Sequence, residues 1–398
     1  MAFEGALIAD RELTSWMEEI YKDIHSHPEL AMNEHRTTAR IREYLTGLGI
    51  EQPALPDLDV GAVGLLRGEE GPVLAIRADI DALPIQEAVD VPYRSTIPGV
   101  MHACGHDLNL TILLGTIRHL VESGFAKRMK GTLKFIFQPA EEGLKGAKAM
   151  IESGVLENPA VDMILMSHGD PALKVGEIAL FEGFSHANSD HFSIELHGRG
   201  GHGSRPHQTQ DLILAGAYLI NILQSVVSRD IDAREAAVLS VCSFNAGTAS
   251  NVFPSSAVMT GTVRTLEQDV QETVAKRMQE ACDAIAGLFH MRAELHYRKG
   301  VPSCPIDPDA EGLLRAAALD VIPEDAVKHS QTRMGGEDFA YFAQLVPAGV
   351  MRLGIAPPEG GEAGSTHSPT FRVDLRTLPY GVSIFTRAIE RFFSKNEA

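Results

Sequence analysis

The sequence predicts an α/β fold with a mainly parallel sheet and helices on both faces, interrupted by an inserted ferredoxin-like α+β domain. Apolar stretches of strand length alternate with helical patterns in the first part of the chain, which is typical of parallel sheets. Between residues 187 and 299 the order of elements becomes β-α-β-β-α-β, the order of the split ferredoxin-like unit. The first pattern resumes near residue 300.

The chain length is consistent with this division. A chain of 398 residues is long for a single domain, so two domains are the reasonable expectation. We place the inserted domain at residues 187–299. Residues 1–186 and 300–398 then form the first domain.

The first domain begins with two predicted helices. The first is indicated by apolar residues at helical spacing, which are Leu13, Trp16, Met17, Ile20 and Ile24. Ile41 and Leu45 continue such a pattern in a second helix, which ends at Gly49, a residue type that often terminates helices. The elements that follow are strands at 72–78, 132–137 and 163–167, and helices at 107–122 and 145–153.

The inserted domain contains four predicted strands and two predicted helices. The strands are expected at 191–197, 237–244, 256–264 and 292–298. The helices are expected at 209–228 and 268–289. After the inserted domain, helices are expected at 308–318 and 382–393, and both belong to the first domain.

Composition and charge exclude several classes of protein. The formal net charge is −18, so the chain lacks the basic surplus that nucleic acid or an anionic membrane surface requires. The sequence has no recognisable signal peptide, and no apolar run approaches the ~20 residues that span a bilayer. We therefore expect a cytoplasmic enzyme with neither nucleic-acid nor membrane partners.

The cysteines do not suggest a disulfide scaffold. The chain has 4 of them, spread widely, whereas such scaffolds are much denser in cysteine. Cys242 and Cys282 fall in a predicted strand and a predicted helix, and we expect both to be core thiols. Cys304 is a loop residue to which the sequence assigns no role.

Ionisable side chains follow the strands of the first domain. Asp79 and Asp81 follow the first strand. Glu141 follows the second strand and His168 follows the third. Open α/β sheets bind ligands at the carboxyl ends of their strands. Three strand ends that each deliver an ionisable residue to one edge therefore predict a functional site there.

The segment from His102 to Asp107 is the densest group of candidate metal ligands. Cys104 and His106 offer a sulfur and a nitrogen donor close together, and Gly105 allows a tight turn between them. The alternative is a buried structural cysteine beside unrelated histidines. Asp107 has two possible roles: a carboxylate that orients a ligand, or the cap of the following helix.

Two adjacent glutamates, Glu141 and Glu142, follow a strand that is predicted to be buried. Neighbouring side chains in extended backbone point to opposite sides. One carboxylate can therefore bind a metal while the other faces a substrate as a general base. The residues alone do not say which glutamate has which role, and the loop histidine His367 carries little information by itself.

A series of short motifs also runs along nearly the whole chain. They are IHSHPE at 24–29, RADIDALP at 77–84, MHACGHD at 101–107, FQPAEEG at 137–143, GRGGHG at 198–203, NAGT at 245–248, NVFP at 251–254, MGGEDF at 334–339 and GSTHSP at 364–369. In this order they resemble the M20 metallopeptidase and amidohydrolase family. The resemblance is closest to its aminoacylases, hippurate hydrolases and indole-acetyl-amino-acid hydrolases.

The resemblance implies a metal-dependent hydrolase of amide bonds with two divalent metal ions per subunit. Cys104 is then expected to be the shared ligand, and the other ligands are expected to be His106, Glu142, His168 and His367. Glu141 is expected to act as the general base, and Asp81, with Asp79 beside it, as an orienting carboxylate. The expected metal is zinc, with manganese, cobalt or nickel as alternatives.

The resemblance also assigns roles to the inserted domain, which it implies is a lid and dimerisation domain of a homodimer. His202 resembles a histidine that reaches the active site of a partner subunit. Asn251 and Arg264 resemble residues that hold the substrate carboxylate or the oxyanion. Asn109 and Asp170 depart from the family pattern near the pocket, which leaves substrate preference open.

The substrate implied by this subgroup is an N-acyl amino acid, cleaved to a free amino acid and a carboxylic acid. A dipeptidase or carboxypeptidase of the same family is the alternative. The alternatives from other classes are a hydrolase that uses Cys104 as a nucleophile together with a histidine, and a non-catalytic binding protein. The retention of Glu141 with every expected ligand argues against the second of these.

Overall fold

A computed structural model describes residues 7–361 and 363–394 of the chain. The chain divides into two compact units. Unit 1 consists of Met1–Ser185, Pro305–Gln331 and Asp338–Ala398, and unit 2 consists of His186–Cys304 and Thr332–Glu337.

The described residues form α-helices that are numbered here in chain order. They are α1 (Arg11–His25), α2 (His35–Gly47), α3 (His106–Glu122), α4 (Gly146–Glu152), α5 (Leu212–Ser225), α6 (Gln268–Phe289), α7 (Pro308–Leu319), α8 (Ala340–Ala343) and α9 (Leu378–Ser394). Of these, α5 and α6 belong to unit 2 and the others to unit 1.

The strands are numbered in the same way. They are β1 (Ala62–Arg67), β2 (Glu69–Asp79), β3 (Lys130–Gln138), β4 (Met163–Lys174), β5 (Ile178–Leu180), β6 (Phe184–His186), β7 (Ser189–His197), β8 (Gly201–His202), β9 (Ala237–Ala246), β10 (Val252–Phe253), β11 (Ser256–Thr265), β12 (Arg292–Val301), β13 (Cys304–Pro305), β14 (Val327–His329) and β15 (Ala348–Ala356).

Unit 1 is built on a seven-stranded sheet with the order β1-β3-β2-β4-β15-β5-β14. Its centre is parallel, since β2 pairs in parallel with β3 and β4, and β15 pairs in parallel with β4. The antiparallel pairs are β1 with β3 and β15 with β5. The predicted mainly parallel α/β fold is therefore confirmed for this unit.

The helices of unit 1 pack on this sheet through apolar side chains. Asp10 begins α1 as its N-cap, and its carboxylate accepts a hydrogen bond from the Leu13 backbone at 2.9 Å. Helix α3 is buried along most of its length, and its buried residues include the polar residues His106, Asp107 and Asn109 as well as apolar ones. Its position matters for function because its first turn carries His106.

Unit 2 contains a four-stranded antiparallel sheet with the order β12-β7-β11-β9. Taken in chain order, its elements run β7-α5-β9-β11-α6-β12, which confirms the predicted ferredoxin-like arrangement. Alternate residues of the central strands, such as Phe192 and Ile194, are buried in a core with α5 and α6. The residues between them lie on the other, open face of the sheet.

Several local predictions differ from the structure. Helix α3 begins after Gly105, whose φ of +100° is left-handed, so Asp107 lies in the first turn and is not the cap. His168 lies inside β4 and does not follow it. Strands β1 and β15 were not predicted, although β15 is buried throughout.

Cys242 was expected to be a core thiol and is exposed, whereas Cys282 is buried as expected. Cys242 lies on β9, an edge strand of the four-stranded sheet, and contributes to the open face. Cys304 is buried in β13. All four cysteines are free thiols.

The expectation that no apolar segment approaches membrane-spanning length was also wrong. The segment Leu212–Asp230, which is α5 and the turn after it, has the length and the mean hydropathy of a membrane span. One face of α5 packs in the core of unit 2 through Leu212, Leu219 and Leu223. A core helix with this composition passes the same test, so the segment is weak support for a membrane span.

Candidate metal centre

The residues of the candidate centre come from neighbouring strands of unit 1. Strands β3, β2 and β4 are adjacent and parallel, so their carboxyl ends lie at one edge of the sheet. Asp79 ends β2, and Glu141 follows β3 closely. His168 extends from β4 at the same edge, and α3 begins there with His106.

Two groups of candidate ligands share the thiol of Cys104. In the first, ligand atoms of Cys104, His106 and His168 lie within 4.8 Å of one another, with Cys104 Sγ 3.3 Å from His168 Nε2. In the second, ligand atoms of Cys104, Glu142 and His367 lie within 4.8 Å of one another. The two groups form two adjacent candidate cation sites with one candidate ligand in common.

His367 reaches this centre through a backbone contact. Its N–H donates to the carbonyl oxygen of Ala103 at 2.8 Å, which places the loop at 364–369 beside the cysteine. His367 Nε2 then lies 3.1 Å from Glu142 Oε1. His367 itself has a φ of +61°, an uncommon conformation for a residue with a side chain.

Asp81 orients two of the candidate ligands. His106 Nδ1 lies 2.9 Å from the carbonyl oxygen of Asp81 and 3.1 Å from its Oδ1. The second carboxylate oxygen of Asp81 accepts a hydrogen bond from the backbone of Glu142 at 3.0 Å. This arrangement places the proton on Nδ1 of His106 and leaves Nε2 as the donor atom for a metal.

The three histidines have different electrostatic environments. Burial opposes protonation of His106, but Asp79, Cys104 and Asp81 outweigh it and hold its pKa well above the usual value. Burial and the nearby Arg352 hold the pKa of His168 well below the usual value. Hydrogen bonds with Cys104 and Glu142 raise the pKa of His367 to about 10. His106 and His367 therefore lie where a positive charge is favoured.

Asp79 is part of a buried ionic network behind the candidate ligands. Arg77 donates to Asp79 Oδ2 at 2.6 Å, and the side-chain amide of Asn109 donates to Oδ1 at 2.7 Å. Although burial would raise it, the pKa of Asp79 is lowered because His106 and Arg77 stabilise the carboxylate. Asn109, one of the departures from the family pattern, thus holds an anion next to His106.

The arrangement fits a pair of divalent cations. His106 Nε2 is buried and forms no hydrogen bond with any residue in the described part of the chain. It faces the shared thiol and two carboxylates, since ligand atoms of His106, Glu141 and Glu142 also lie within 4.8 Å of one another. Sulfur, nitrogen and oxygen donors together suit zinc and other first-row metals.

Comparison with known proteins identifies the family. Residues 75–391 match the model of peptidase family M20/M25/M40. The chain belongs to this family. It is 37% identical to an N-acetylcysteine deacetylase of Bacillus subtilis (strain 168) over 379 residues, which are 95% of this chain and 97% of the relative.

Two further M20 relatives give the same result. A thermostable carboxypeptidase 1 of Saccharolobus solfataricus is 33% identical over 389 residues, with 97% of each chain covered. The solved structure of the YXEP protein of Bacillus subtilis, described as a dinuclear metal binding peptidase from the M20 family, is 34% identical with a TM-score of 0.85. The match covers 97% of this chain and 99% of that one.

Family membership settles the reaction class. The protein is a metal-dependent amide-bond hydrolase, and its structural relative binds a dinuclear metal centre. This result sets aside a hydrolase with Cys104 as its nucleophile and a non-catalytic binding protein. It also confirms the family resemblance on which the predicted ligand set depends.

The residues predicted in the inserted segment fall into two groups within unit 2. His202 is exposed, lies 2.9 Å from the Ser204 hydroxyl, and pairs with Val252 between β8 and β10. The carbonyl oxygen of Asn251 accepts from the Gly203 backbone at 2.7 Å, so these two motifs are adjacent. Arg264 lies near the other end of β11.

The sequence missed residues that surround the centre without being candidate ligands. His25 is buried and hydrogen-bonded to Asp107. Glu34 is also buried and contacts the loop of Glu141. His25 lies in the IHSHPE motif at 24–29, which gives no contact partner, and Glu34 lies outside all the motifs.

Proposed function

We propose that this enzyme hydrolyses N-acyl amino acids to a carboxylic acid and a free amino acid. The observation that carries the proposal is the position of Glu141, a carboxylate of low exposure whose oxygen lies within 4.8 Å of ligand atoms of His106 and Glu142. The similarity to a deacetylase of an N-acyl amino acid over 95% of the chain supports the substrate class.

The ligand set in this proposal is Cys104, His106, Glu142, His168 and His367, with Cys104 shared. We propose zinc as the metal because thiolate, imidazole and carboxylate donors all bind it well, with manganese, cobalt and nickel as alternatives. When bound, the two ions would make water a better nucleophile and polarise the amide carbonyl.

In this mechanism the protein residues move and hold the protons. Glu141 takes a proton from the attacking water and later delivers it to the nitrogen of the leaving amine. Asp81 keeps His106 in the required orientation through its Nδ1 contact. Asn251, His202 and Arg264 would hold the substrate carboxylate or the developing negative charge on the carbonyl oxygen.

The proposal includes a homodimer in which His202 acts on the substrate of the partner subunit. Within unit 2, His202 lies beside β10 near the start of β11, whereas Arg264 is eight residues along β11 from Ser256. That separation is about 26 Å at ~3.3 Å per residue. An N-acyl amino acid is far shorter than this distance, which supports the contribution of the two residues by different subunits.

An exposed apolar surface on α5 supports the same proposal. Ile213, Leu214 and Tyr218 are between 45% and 53% exposed on one helix. Apolar side chains grouped in this way are typical of protein–protein interfaces.

A test of the homodimer mixes Glu141→Gln and His202→Ala enzymes under conditions that exchange subunits. Recovered activity supports action on the partner's substrate, and no recovery despite proven exchange contradicts it.

A substrate panel tests the proposed reaction. The zinc-loaded enzyme is assayed against N-acetyl and longer N-acyl amino acids and, in parallel, against dipeptides and C-terminal peptide substrates. We expect a higher kcat/KM for N-acyl amino acids and loss of activity with a chelator. The opposite preference would favour the carboxypeptidase alternative, for which the similarity to a thermostable carboxypeptidase is the supporting observation.

A further inference from the structure

The segment of residues 25–34 contacts the start of α3 and two of the loops that form the candidate metal centre. It runs from the last residue of α1 to the residue before α2, and we call it the brace. It contains most of the IHSHPE motif, yet none of its side chains belongs to the proposed ligand set. Its contacts are with the first turn of α3 and with the loops that follow β2 and β3.

The first contact holds the start of α3. His25 is 3% exposed, and its Nδ1 lies 2.6 Å from Asp107 Oδ2. Its other ring nitrogen lies 3.2 Å from Glu87 Oε1. Asp107 directly follows His106 in the chain. His25 therefore contacts the residue that is joined by one peptide bond to the candidate ligand His106.

The second contact holds the loop after β2. The carbonyl oxygen of Glu29 accepts a hydrogen bond from the Ala82 backbone at 2.8 Å, next to Asp81. The Glu29 side chain has a different partner, since its two oxygens accept from Arg36 N at 2.9 Å and Thr37 N at 2.7 Å. This side chain therefore caps α2, and only the Glu29 backbone contacts the metal-centre loops.

The third contact holds the loop of the proposed general base. Glu34 is completely buried, and its Oε1 accepts a hydrogen bond from the Ala140 backbone at 2.8 Å. Ala140 directly precedes Glu141 and has a φ of +55°, a left-handed conformation that a residue with a side chain adopts at a cost. The hydrogen bond to Glu34 helps to hold this conformation.

Glu34 is costly to bury, and it does not cap a helix. Its Oε2 has no hydrogen-bond partner among residues 7–361 and 363–394, and a buried polar atom without a partner destabilises a fold. Although Glu34 precedes α2, its side chain makes no capping hydrogen bond there, because Glu29 supplies that cap. Packing and helix capping therefore do not explain a glutamate at this position.

We propose that His25 and Glu34 are positioning residues of the metal centre, acting through Asp107 and Ala140 respectively. Glu34 sets the backbone direction from which Glu141 and Glu142 extend. His25 sets the position of the turn that carries Cys104 and His106. The inference depends on the proposed ligand set, but it does not depend on which amide is the substrate.

The test compares substitutions at the two glutamates of the brace. Glu34→Met removes the acceptor of the Ala140 N–H with little change in volume, and Glu34→Gln keeps an oxygen that can accept it. Glu29→Ala is the matched control, because it removes the α2 cap and leaves the Glu29 carbonyl in place. The measurements are Zn²⁺ affinity by chelator competition, kcat and KM per folded molecule, and thermal stability.

We expect Glu34→Met to weaken Zn²⁺ binding at least tenfold and to lower kcat with little change in KM, and Glu34→Gln to restore both. Glu29→Ala should lower only the thermal stability. His25→Gln, whose amide can reach only one of the two carboxylates, should also weaken Zn²⁺ binding and provides the test if Glu34→Met does not fold.

Wild-type Zn²⁺ affinity in both the Glu34→Met and the His25→Gln enzyme would overturn the proposal. Equal loss of Zn²⁺ affinity in Glu29→Ala would also overturn it, because the effect would then be one of general stability. Since Zn²⁺ binding is measured without substrate, failure of the enzyme to cleave N-acyl amino acids leaves this result intact and counts only against the proposed function.

Discussion

The two sheets of the molecule present their polar residues in different ways. At the edge of the seven-stranded sheet in unit 1, His106, Asp79 and Asp81 are buried and each is fixed by hydrogen bonds or ion pairs. The open face of the four-stranded sheet in unit 2 lines a cavity of about 690 Å³. Arg264 lies there and donates weakly to the backbone oxygens of Asp190 at 3.4 Å and Val263 at 3.2 Å.

The difference indicates that the polar residues of the two sheets have different functions. Groups that are buried and fixed have an orientation that does not depend on the substrate, which suits metal binding and proton transfer. A half-buried arginine that donates weakly to two carbonyl groups remains available to an anionic ligand. Substitutions in unit 1 should therefore affect metal binding or kcat, and those on the open face of unit 2 should affect KM.

The largest expected effect is that of Glu141→Gln. The amide cannot take a proton from water, so kcat should fall by about 10³-fold, within the usual range for a general base. Zn²⁺ content, measured by elemental analysis, should stay unchanged. Glu152→Gln, on the exposed side of α4, is the control and should behave as wild type. Full activity in a metal-loaded Glu141→Gln enzyme would remove Glu141 from the mechanism.

The next effect concerns the dependence of unit 1 stability on pH. Burial disfavours a charged His25, but hydrogen bonds to Asp107 and Glu87 raise its pKa to about 9 from 6.5. The stabilisation is therefore complete below pH 6.5 and is lost as the pH rises through 9. It amounts to about 3 kcal/mol, because each unit of pKa corresponds to about 1.4 kcal/mol.

Urea unfolding can measure this dependence for unit 1 alone. The chain has 1 tryptophan, Trp16, and it lies in α1, so its fluorescence reports on this unit. The difference in unfolding free energy between wild type and His25→Gln should shrink between pH 6.5 and 9.5. A difference that is constant across this range would show that His25 is not protonated in the folded protein.

A smaller effect is expected on the open face of unit 2. Arg264→Ala should raise KM by about 10- to 100-fold, since a hydrogen bond to a charged group contributes about 1.5–3 kcal/mol. Zn²⁺ affinity should not change. Arg298→Ala, which lines the same cavity, is the matched control. A loss of Zn²⁺ affinity in Arg264→Ala would contradict the division between the two sheets.

The smallest expected effect is a difference in stability between cysteine substitutions on the two sides of the sheet in unit 2. Cys282→Ser places a hydroxyl in the core and should lower thermal stability, at a cost of about 1–3 kcal/mol. Cys242→Ser changes an exposed thiol and should cost less than about 0.5 kcal/mol. Equal destabilisation by both substitutions would mean that the open face is covered in solution.

The sequence predicted the edge of the large sheet because apolar strands and the charged residues after them are local patterns. The strands before Asp79 and Glu141 and the pair Cys104 and His106 needed no information from distant residues. The ferredoxin-like order was also local, since each of its elements has its own periodicity. Strand β15 was missed because Arg352 and two glycines interrupt its apolar pattern.

Contacts between distant residues could not be predicted in this way. The separation between His25 and Asp107 is 82 residues, and that between Glu34 and Ala140 is 106 residues. No periodic pattern encodes such pairs. The prediction of His367 as a ligand and of different roles for Glu141 and Glu142 depended on family resemblance. Cys242 was wrongly predicted to be buried because the pattern of β9 did not show which of its faces is open.

The two candidate sites share Cys104, but their other ligands lie far apart in the chain, and this has a consequence for the order in which the two sites can form. Cys104, His106 and His168 precede unit 2 in the chain, whereas His367 follows all of it. During synthesis, which proceeds from the amino terminus, the ligands of one site are therefore complete before those of the other. In the proposed ligand set, the second site can be completed only after His367 has left the ribosome.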